Sequence, residues 1–559
     1  MTTTLEKIAQ WATELKLEQI PQRVIDKAKL QLMSMMAAVY SGFPTRAARA
    51  IREVALLSRA NGRATVFPVG DKTSVTMAVM ANAAASMALD FDDYLFMGHT
   101  GHSSVLASMA LAEELGLGGK DFLLAQIAAN EAEGRLGASV VLGHQNGQLW
   151  THIHALGSSL AGSLLMGLDA HACANAMAIS LYQPPMAMWP GFMGPDSKLL
   201  SAAWPTRDGL YAARLASWGL TGPLGILDDK RGFGSRFAHQ FLSQMLTGWG
   251  EAWVTDTLSY KIYPGCAYLD AAMDALFEAM SSFKKDTDRK MEPADVVKIE
   301  VSTTLLGSQM QKLVDSQAPI DLSAVRANFS IPLSFAIAIN AGRLTPSELD
   351  DKALEEAAPQ ILDLAEKIKV RHDWSMTIQM IETMTEHMPL GNLLSELDIR
   401  NLLSGSRDIS SGSGLLSDLK PQDILRIAAF LWERTPGLVR RAGQVAAEGI
   451  SRMVGSQSAN DHLHVFDLGQ VEMDKLGMPF AAKVDLTVHG HRQYSYKVKV
   501  PRAAAGSDPA KTSGLVRKKF RDAAATLIGE EKLEKALALM ENLEDIDEIS
   551  ELTKNLSLD

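Results

Sequence analysis

A succession of helix-length segments with almost no polar face constrains this chain most. Residues 76–90 (TMAVMANAAASMALD), 104–115 and 155–168 are apolar nearly all round, built mainly from Ala, Leu and Met. A helix of that kind must be surrounded by other helices. The neighbours are at hand, since 5–16, 21–41, 46–59, 121–136, 171–182 and 208–218 also read as helices punctuated by Gly or Pro. Pro21 suits a first turn, Gly42 followed by Pro44 suits a stop, and Asp121 complements the positive end of its helix. With 559 residues the chain can bury a large core, so folding requires neither metal nor disulfide.

The pattern changes near 265. Val297, Ile299 and Val301 alternate with Lys298 and Glu300, the signature of a half-buried strand at 295–303. Residues 367–372 make a shorter strand, and 481–488 with 493–500 a hairpin across His489-Gly490. Helices are expected at 267–282, 330–341 and 346–358, and 512–556 returns to helix. The Ser/Gly-rich run 404–414 reads as a loop, with helix-like segments at 421–434 and 438–454. The expected fold is mainly α. A large all-α domain comes from 1–265 and 505–559, a smaller α+β lid from 266–504, and a helical insertion lies in the lid at about 385–465.

The formal net charge of −11 gives no basic excess for a nucleic-acid backbone. Cys173 and Cys266 are the only cysteines, which excludes a four-cysteine metal or iron–sulfur site within one chain and fits a reducing compartment. The first residues carry Glu6, Glu14 and Glu18 and lack the apolar core of a secretion signal. The most apolar runs, 75–89 and 329–342, are interrupted by Asn82, Ser86, Ser330 and Pro332, so no membrane span is expected and a cytoplasmic location is the default.

Chemistry-bearing residues gather in four places. LDFDDYLFMGHTGHSS (89–104) holds Asp90, Asp92, Asp93, Tyr94, His99 and His102 behind an apolar helix, where acids and imidazoles can transfer protons. LWTHIHALG (149–157) adds His152 and His154, which face different ways if helical. Lys198 lies in a Gly/Pro-rich stretch, and Arg207 stands at the expected start of the 208–218 helix, a position that favours anion binding over dipole stabilisation. Lys261 precedes a Tyr-Pro-Gly-Cys turn ending at Cys266. Taken singly, the acids would cap helices, a histidine would fill a core and a lysine would be solvated. Their clustering argues for a site.

In this order the segments resemble the MmgE/PrpD family, which includes 2-methylcitrate dehydratases, cis-aconitate decarboxylases and iminodisuccinate epimerases. The resemblance rests on Asp90-Phe91-Asp92-Asp93-Tyr94, His102-Ser103-Ser104, ALAEELGLGGKDFLLAQIAANEAEGRLG, the lysine-to-GLTGP stretch 198–223, KIYPGC and VRKKFRDAA. It implies cofactor-free acid–base chemistry beside a carboxylate, on a small di- or tricarboxylate, in a homodimer. It implies Asp93, His102, His154, Lys198 and Lys261 as catalytic residues, with Asp93 orienting His102. Asp90, Tyr94, Arg207 and Cys266 would bind substrate, in a pocket opening beneath the lid. The second histidine is His154 or His152, with His154 favoured because Ala155-Leu156-Gly157 follows it. The chain departs from the family in having Ser103 where proline is usual, in lacking a decarboxylase tyrosine within VDSQAPIDLSAV, and in the 385–465 insertion. Dehydration, decarboxylation and epimerisation need the same residue types and stay open. A metal-dependent hydrolase using Asp90, Asp93, His99, His102 and His154, or a non-enzymatic helical interaction protein, are the rivals; no HExxH pair supports the former.

Overall fold

The computed structural model describes residues 2–57, 62–143, 147–148, 150–316, 322–388 and 466–558, with a few positions between 421 and 429. The expected insertion at 385–465 therefore falls almost wholly outside the described residues. The fold is mainly α with small sheets, as the sequence pattern predicts.

The apolar segments form the middle of the helical part. Val75–Met87 is buried along nearly its whole length against Gln22–Gly42, Gly101–Leu115 and Leu200–Ser217, and Gly119–Ser139 and Ile153–Leu165 pack in turn on Gly101–Leu115 and on each other. The C-terminal helices return to this body. The Tyr40 ring packs at a tilt 5.9 Å from Phe520, and its hydroxyl donates a 2.6 Å bond to the Leu556 carbonyl. Pro21 is the N-cap of Gln22–Gly42 rather than a first-turn residue.

One helix differs materially from expectation. Leu200–Ser217 begins eight residues before the expected 208 and carries Pro205 inside it. A proline normally ends a helical pattern, because it lacks an N–H and crowds the preceding turn. Here Pro205 is the sixth residue of the helix and is buried in the core.

The sheet-bearing part is built on Val296–Thr303. Its order is Gln493–Val498, Ala482–Val488, Val296–Thr303, Ile368–His372, antiparallel except for the last, parallel pair. Ile299, Val301, Val484 and Leu486 turn to the core against helix Ala267–Thr287. Val297 does not join them, being 42% exposed. A register shift between Val296 and Lys298 inserts one residue, so Val296 points inward in its place. Helices Leu305–Asp315 and Trp374–His387 had not been read from the sequence. Among the described residues no helix is long and apolar enough to cross a membrane.

Candidate active site

The site forms where helix Val75–Met87 ends. Asp90 takes a left-handed conformation, φ 48°, and turns the chain sharply. Asp93 and Tyr94 then pair antiparallel with Tyr260 and Ser259. That short ladder, with the Lys261 amide donating to the Asp92 carbonyl at 3.2 Å, brings two segments some 170 residues apart in sequence into one register. Lys261 Nζ consequently meets Asp92 Oδ1 at 2.5 Å and lies 4.0 Å from Asp90 Oδ1. Lys198, from a short turn before Leu200–Ser217, donates to Asp90 Oδ2 at 2.5 Å and to the Met87 carbonyl at 3.2 Å. The Phe329 ring lies 4.9 Å from the Lys198 ammonium.

Asp92 is the hub. Its Oδ2 meets His99 Nδ1 at 2.8 Å and lies 3.1 Å from His102 Nε2. His102 Nδ1 bonds the Ser86 hydroxyl at 2.8 Å. Burial pushes the Asp92 carboxyl up, but Lys261 and the two imidazoles outweigh it and hold it well below the usual range. Lys261 is raised in turn: burial opposes its charge, and Asp92 and Asp90 more than compensate.

His102 and His154 occupy first turns of two helices, Gly101–Leu115 and Ile153–Leu165, whose N-termini converge. Their rings stand edge-to-face with centroids 5.7 Å apart. Ser103 Oγ bonds His154 Nδ1 at 2.8 Å and both oxygens of Glu133, at 2.8 and 2.7 Å. Burial, reinforced by neighbouring histidines, drives His154 well below the ordinary imidazole value, and burial raises Glu133 well above its own.

The two histidines are placed differently. His154 joins the cluster, whereas His152 packs against the stacked pair Phe233 and Phe237, each ring 4.7 Å away, and burial lowers it to about 3. It is a core residue.

Other expected residues are placed differently. Asp93 does not orient His102; Asp92 makes that contact. Among the described residues no hydrogen bond or ion pair joins Asp93 to His102, and Asp93 instead accepts a 2.8 Å bond from Gln31. Asp92 lies in the bend just before the Asp93–Tyr94 strand, and it is Asp92 whose carboxylate faces the imidazole. Burial and the Asp92 charge raise Asp93 to about 6. Arg207 lies within a helix, not at its start, and pairs with Asp208 at 2.7 Å and touches the Met80 sulfur at 3.8 Å. The dipole argument for anion binding therefore fails at Arg207. Cys266 caps helix Ala267–Thr287, beside Lys261 and Asp90, and burial raises its thiol to about 12. Tyr94 is buried, 5.7 Å from Phe480, and its hydroxyl has no hydrogen-bond partner among the described residues.

Glu133, Asp270 and Lys519 escaped the sequence reading. Asp270 is buried in the first turn of Ala267–Thr287, and burial raises its carboxyl well above normal despite Lys261. Lys519, from helix Pro509–Ile528, donates to the Phe91 carbonyl at 2.5 Å and to Ser34 Oγ at 2.8 Å, pinning the aspartate turn from behind; burial lowers it to about 7. The usable signal was a charged residue within an apolar face, as with Glu133 in AANEAEGRLG. Among the described residues no group of three or more His, Cys, Asp or Glu is arranged to hold a metal ion.

Buried acids, imidazoles and lysines thus form one contiguous cluster. Comparison with known proteins gives the family. Residues 6–244 match the MmgE/PrpD N-terminal domain and 263–389 the MmgE/PrpD C-terminal domain, together more than half of the chain, which belongs to the MmgE/PrpD family. It is similar to a cis-aconitate decarboxylase from Aspergillus terreus, 22% identical over 65% of this chain and 77% of the relative. It is also similar to cis-aconitate decarboxylase from Homo sapiens, 25% identical over 64% of this chain and 74% of the relative. Family and relatives mark the chain as a lyase and point to chemistry on carboxylates.

Proposed function

We propose that this chain is a cofactor-independent lyase that removes carbon dioxide or water from a small di- or tricarboxylate. One observation carries the reading: Lys198, Asp90, Lys261, Asp92, His102 and His154 form an unbroken series of contacts in a water-excluded interior. The lysines bind substrate carboxylates in exchange for part of their pairing with Asp90 and Asp92, which keeps buried charge matched in both states. Because these side chains close over one another, substrate enters by separation of the sheet-bearing part, which acts as the lid and supplies Phe329 and Cys266.

In decarboxylation the bond to one carboxyl carbon breaks and its electron pair delocalises onto a neighbouring carboxylate held by lysine. An imidazole then delivers a proton to the carbon that lost the group. In dehydration one imidazole takes the α-proton and the other protonates the departing hydroxyl. The names of the relatives make cis-aconitate the first substrate to try. Asp92, rather than Asp93, orients His102 in this scheme.

The test is incubation with a panel of di- and tricarboxylates in deuterated water, followed by proton NMR. It reports loss of carbon dioxide, loss of water, and α-proton exchange without net loss, the last being the epimerase outcome. No change in any acid of the panel overturns the proposal.

The working unit is a homodimer in a reducing, cytoplasmic setting. Trp204, Tyr211, Leu215 and Trp218, each at least 44% exposed, recur along one side of helix Leu200–Ser217 and suit a second copy of the chain. Light scattering should give twice 60.5 kDa; a concentration-independent mass near 60.5 kDa refutes the dimer.

A further inference from the structure

Ser103 is where this chain departs from the family's usual proline, and its surroundings impose a proton count. Its hydroxyl oxygen has four polar neighbours: Glu133 Oε2 at 2.7 Å, Glu133 Oε1 at 2.8 Å, His154 Nδ1 at 2.8 Å and the Thr100 carbonyl at 3.1 Å. A hydroxyl carries one proton. Were Glu133 ionised and His154 Nδ1 bare, one proton would face four acceptors in a buried space, with lone pairs opposed at under 3 Å. At least one further proton must reside on the carboxyl or on Nδ1.

Burial decides where. Glu133 and Ser103 are wholly buried and His154 nearly so. Among the described residues, the one ion-pairing group near Glu133 is His154 itself, at 3.7 Å. An ion pair at that spacing, with a hydroxyl interposed, recovers less than the cost of burying both charges. The neutral arrangement is preferred: Glu133 carries the proton and donates to Ser103, which donates to His154 Nδ1. The opposed displacements of Glu133 upward and His154 downward agree with it. The proton of the neutral imidazole is then on Nε2, the nitrogen left for substrate.

We propose that Glu133 and Ser103 form a proton relay that recharges His154, making both positioning residues for an acid-acting histidine. This rests on the lyase reading above. The step balances as follows. The His154 Nε2–H bond breaks and its proton goes to the carbon that lost carbon dioxide. Nδ1 takes the Ser103 proton, and Ser103 regains one from the Glu133 carboxyl. The relay ends with a Glu133 carboxylate and a neutral imidazole protonated at Nδ1. Decarboxylation consumes one proton per turnover, which water restores after product leaves. The histidine thus never has to become a buried imidazolium.

Two variants of the full-length chain test it. Glu133→Gln keeps a hydrogen-bond donor toward Ser103 but has no proton to release, and Ser103→Ala interrupts the path. Each should lower kcat by about tenfold or more, consistent with loss of general acid catalysis, with KM nearly unchanged. The double variant should be little worse than either single one, because the residues act as a unit. Retention of kcat within twofold in both, or a change confined to KM, overturns the relay.

A second readout needs no substrate. In protein labelled with 15N-histidine, the His154 signal, assigned by its disappearance in His154→Gln, should show the Nε2-protonated neutral tautomer. Ser103→Ala should shift that tautomer balance. An Nδ1-protonated ring in the unaltered protein, or no response to Ser103→Ala, overturns the proposal. If no carboxylate is consumed, the lyase reading fails and this measurement still judges the relay.

Discussion

Replacing Asp93 by asparagine should stabilise the protein at neutral pH and do nothing of the kind in acid. Asp93 is fully buried, its Oδ1 has no hydrogen-bond partner among the described residues, and its other oxygen accepts from Gln31. Burial and the neighbouring Asp92 charge raise it from the ordinary 3.8 to about 6. A carboxyl whose folded value is raised carries no penalty below its unfolded value; the penalty grows between that value and the folded one, and is complete above. For Asp93 the cost of ionisation is therefore about 3 kcal/mol at pH 7 and about 1 kcal/mol at pH 4.5. Asp93→Asn removes it. The amide oxygen can still accept from Gln31, whose own oxygen is fixed by bonds from Gln126 and Asn130, both at 2.8 Å. The amide nitrogen is left without a partner at a cost of about 1 kcal/mol. The net expectation is a gain of about 2 kcal/mol at pH 7 and about zero at pH 4.5. Urea denaturation of both proteins at pH 4.5, 5.5 and 7 measures it. A stability difference that stays flat across this range, or a loss at pH 7, refutes the electrostatic account of Asp93.

Lys198→Ala leaves Asp90 buried without its 2.5 Å partner and should cost about 3 kcal/mol, besides raising KM; pairing it with Asp90→Ala should restore much of the stability but not KM, as thermal melts and kinetics would show. His152→Leu should leave kcat within twofold and hold or raise the melting temperature, since both ring nitrogens lack partners among the described residues; a large kcat loss would return His152 to the site. Gly157→Ala should disable turnover, because a Cβ there comes 1.6 Å from Glu133 Oε1; substrate assays should show it, and a fully active Gly157→Ala protein would mean that the Glu133 carboxyl is free to move.

The sequence by itself determined the helical body, the sheet and the family. Apolar faces on 76–90, 104–115 and 155–168 admit only burial among helices, and strand alternation needs only local periodicity. It also named the segments that hold the site, because acids, imidazoles and lysines are rare in such apolar surroundings. What it could not supply was which member of each cluster joins the buried contacts. Asp92 and Asp93 are adjacent, as are His152 and His154 but for one residue, and a local pattern does not say which side of the chain will meet Lys261 or Ser103. That was decided by the pairing of Asp93 with Tyr260 across some 170 residues of chain and by the convergence of two helix N-termini. The same holds for Val297, displaced by a bulge, for Arg207, whose helix begins at Leu200 rather than beside it, and for Glu133, which meets His154 only in the packed interior. Periodicity is local, so it can be read along the chain. The identity of an acid's or a histidine's partner is a property of contacts between distant segments, and only tertiary packing fixes those.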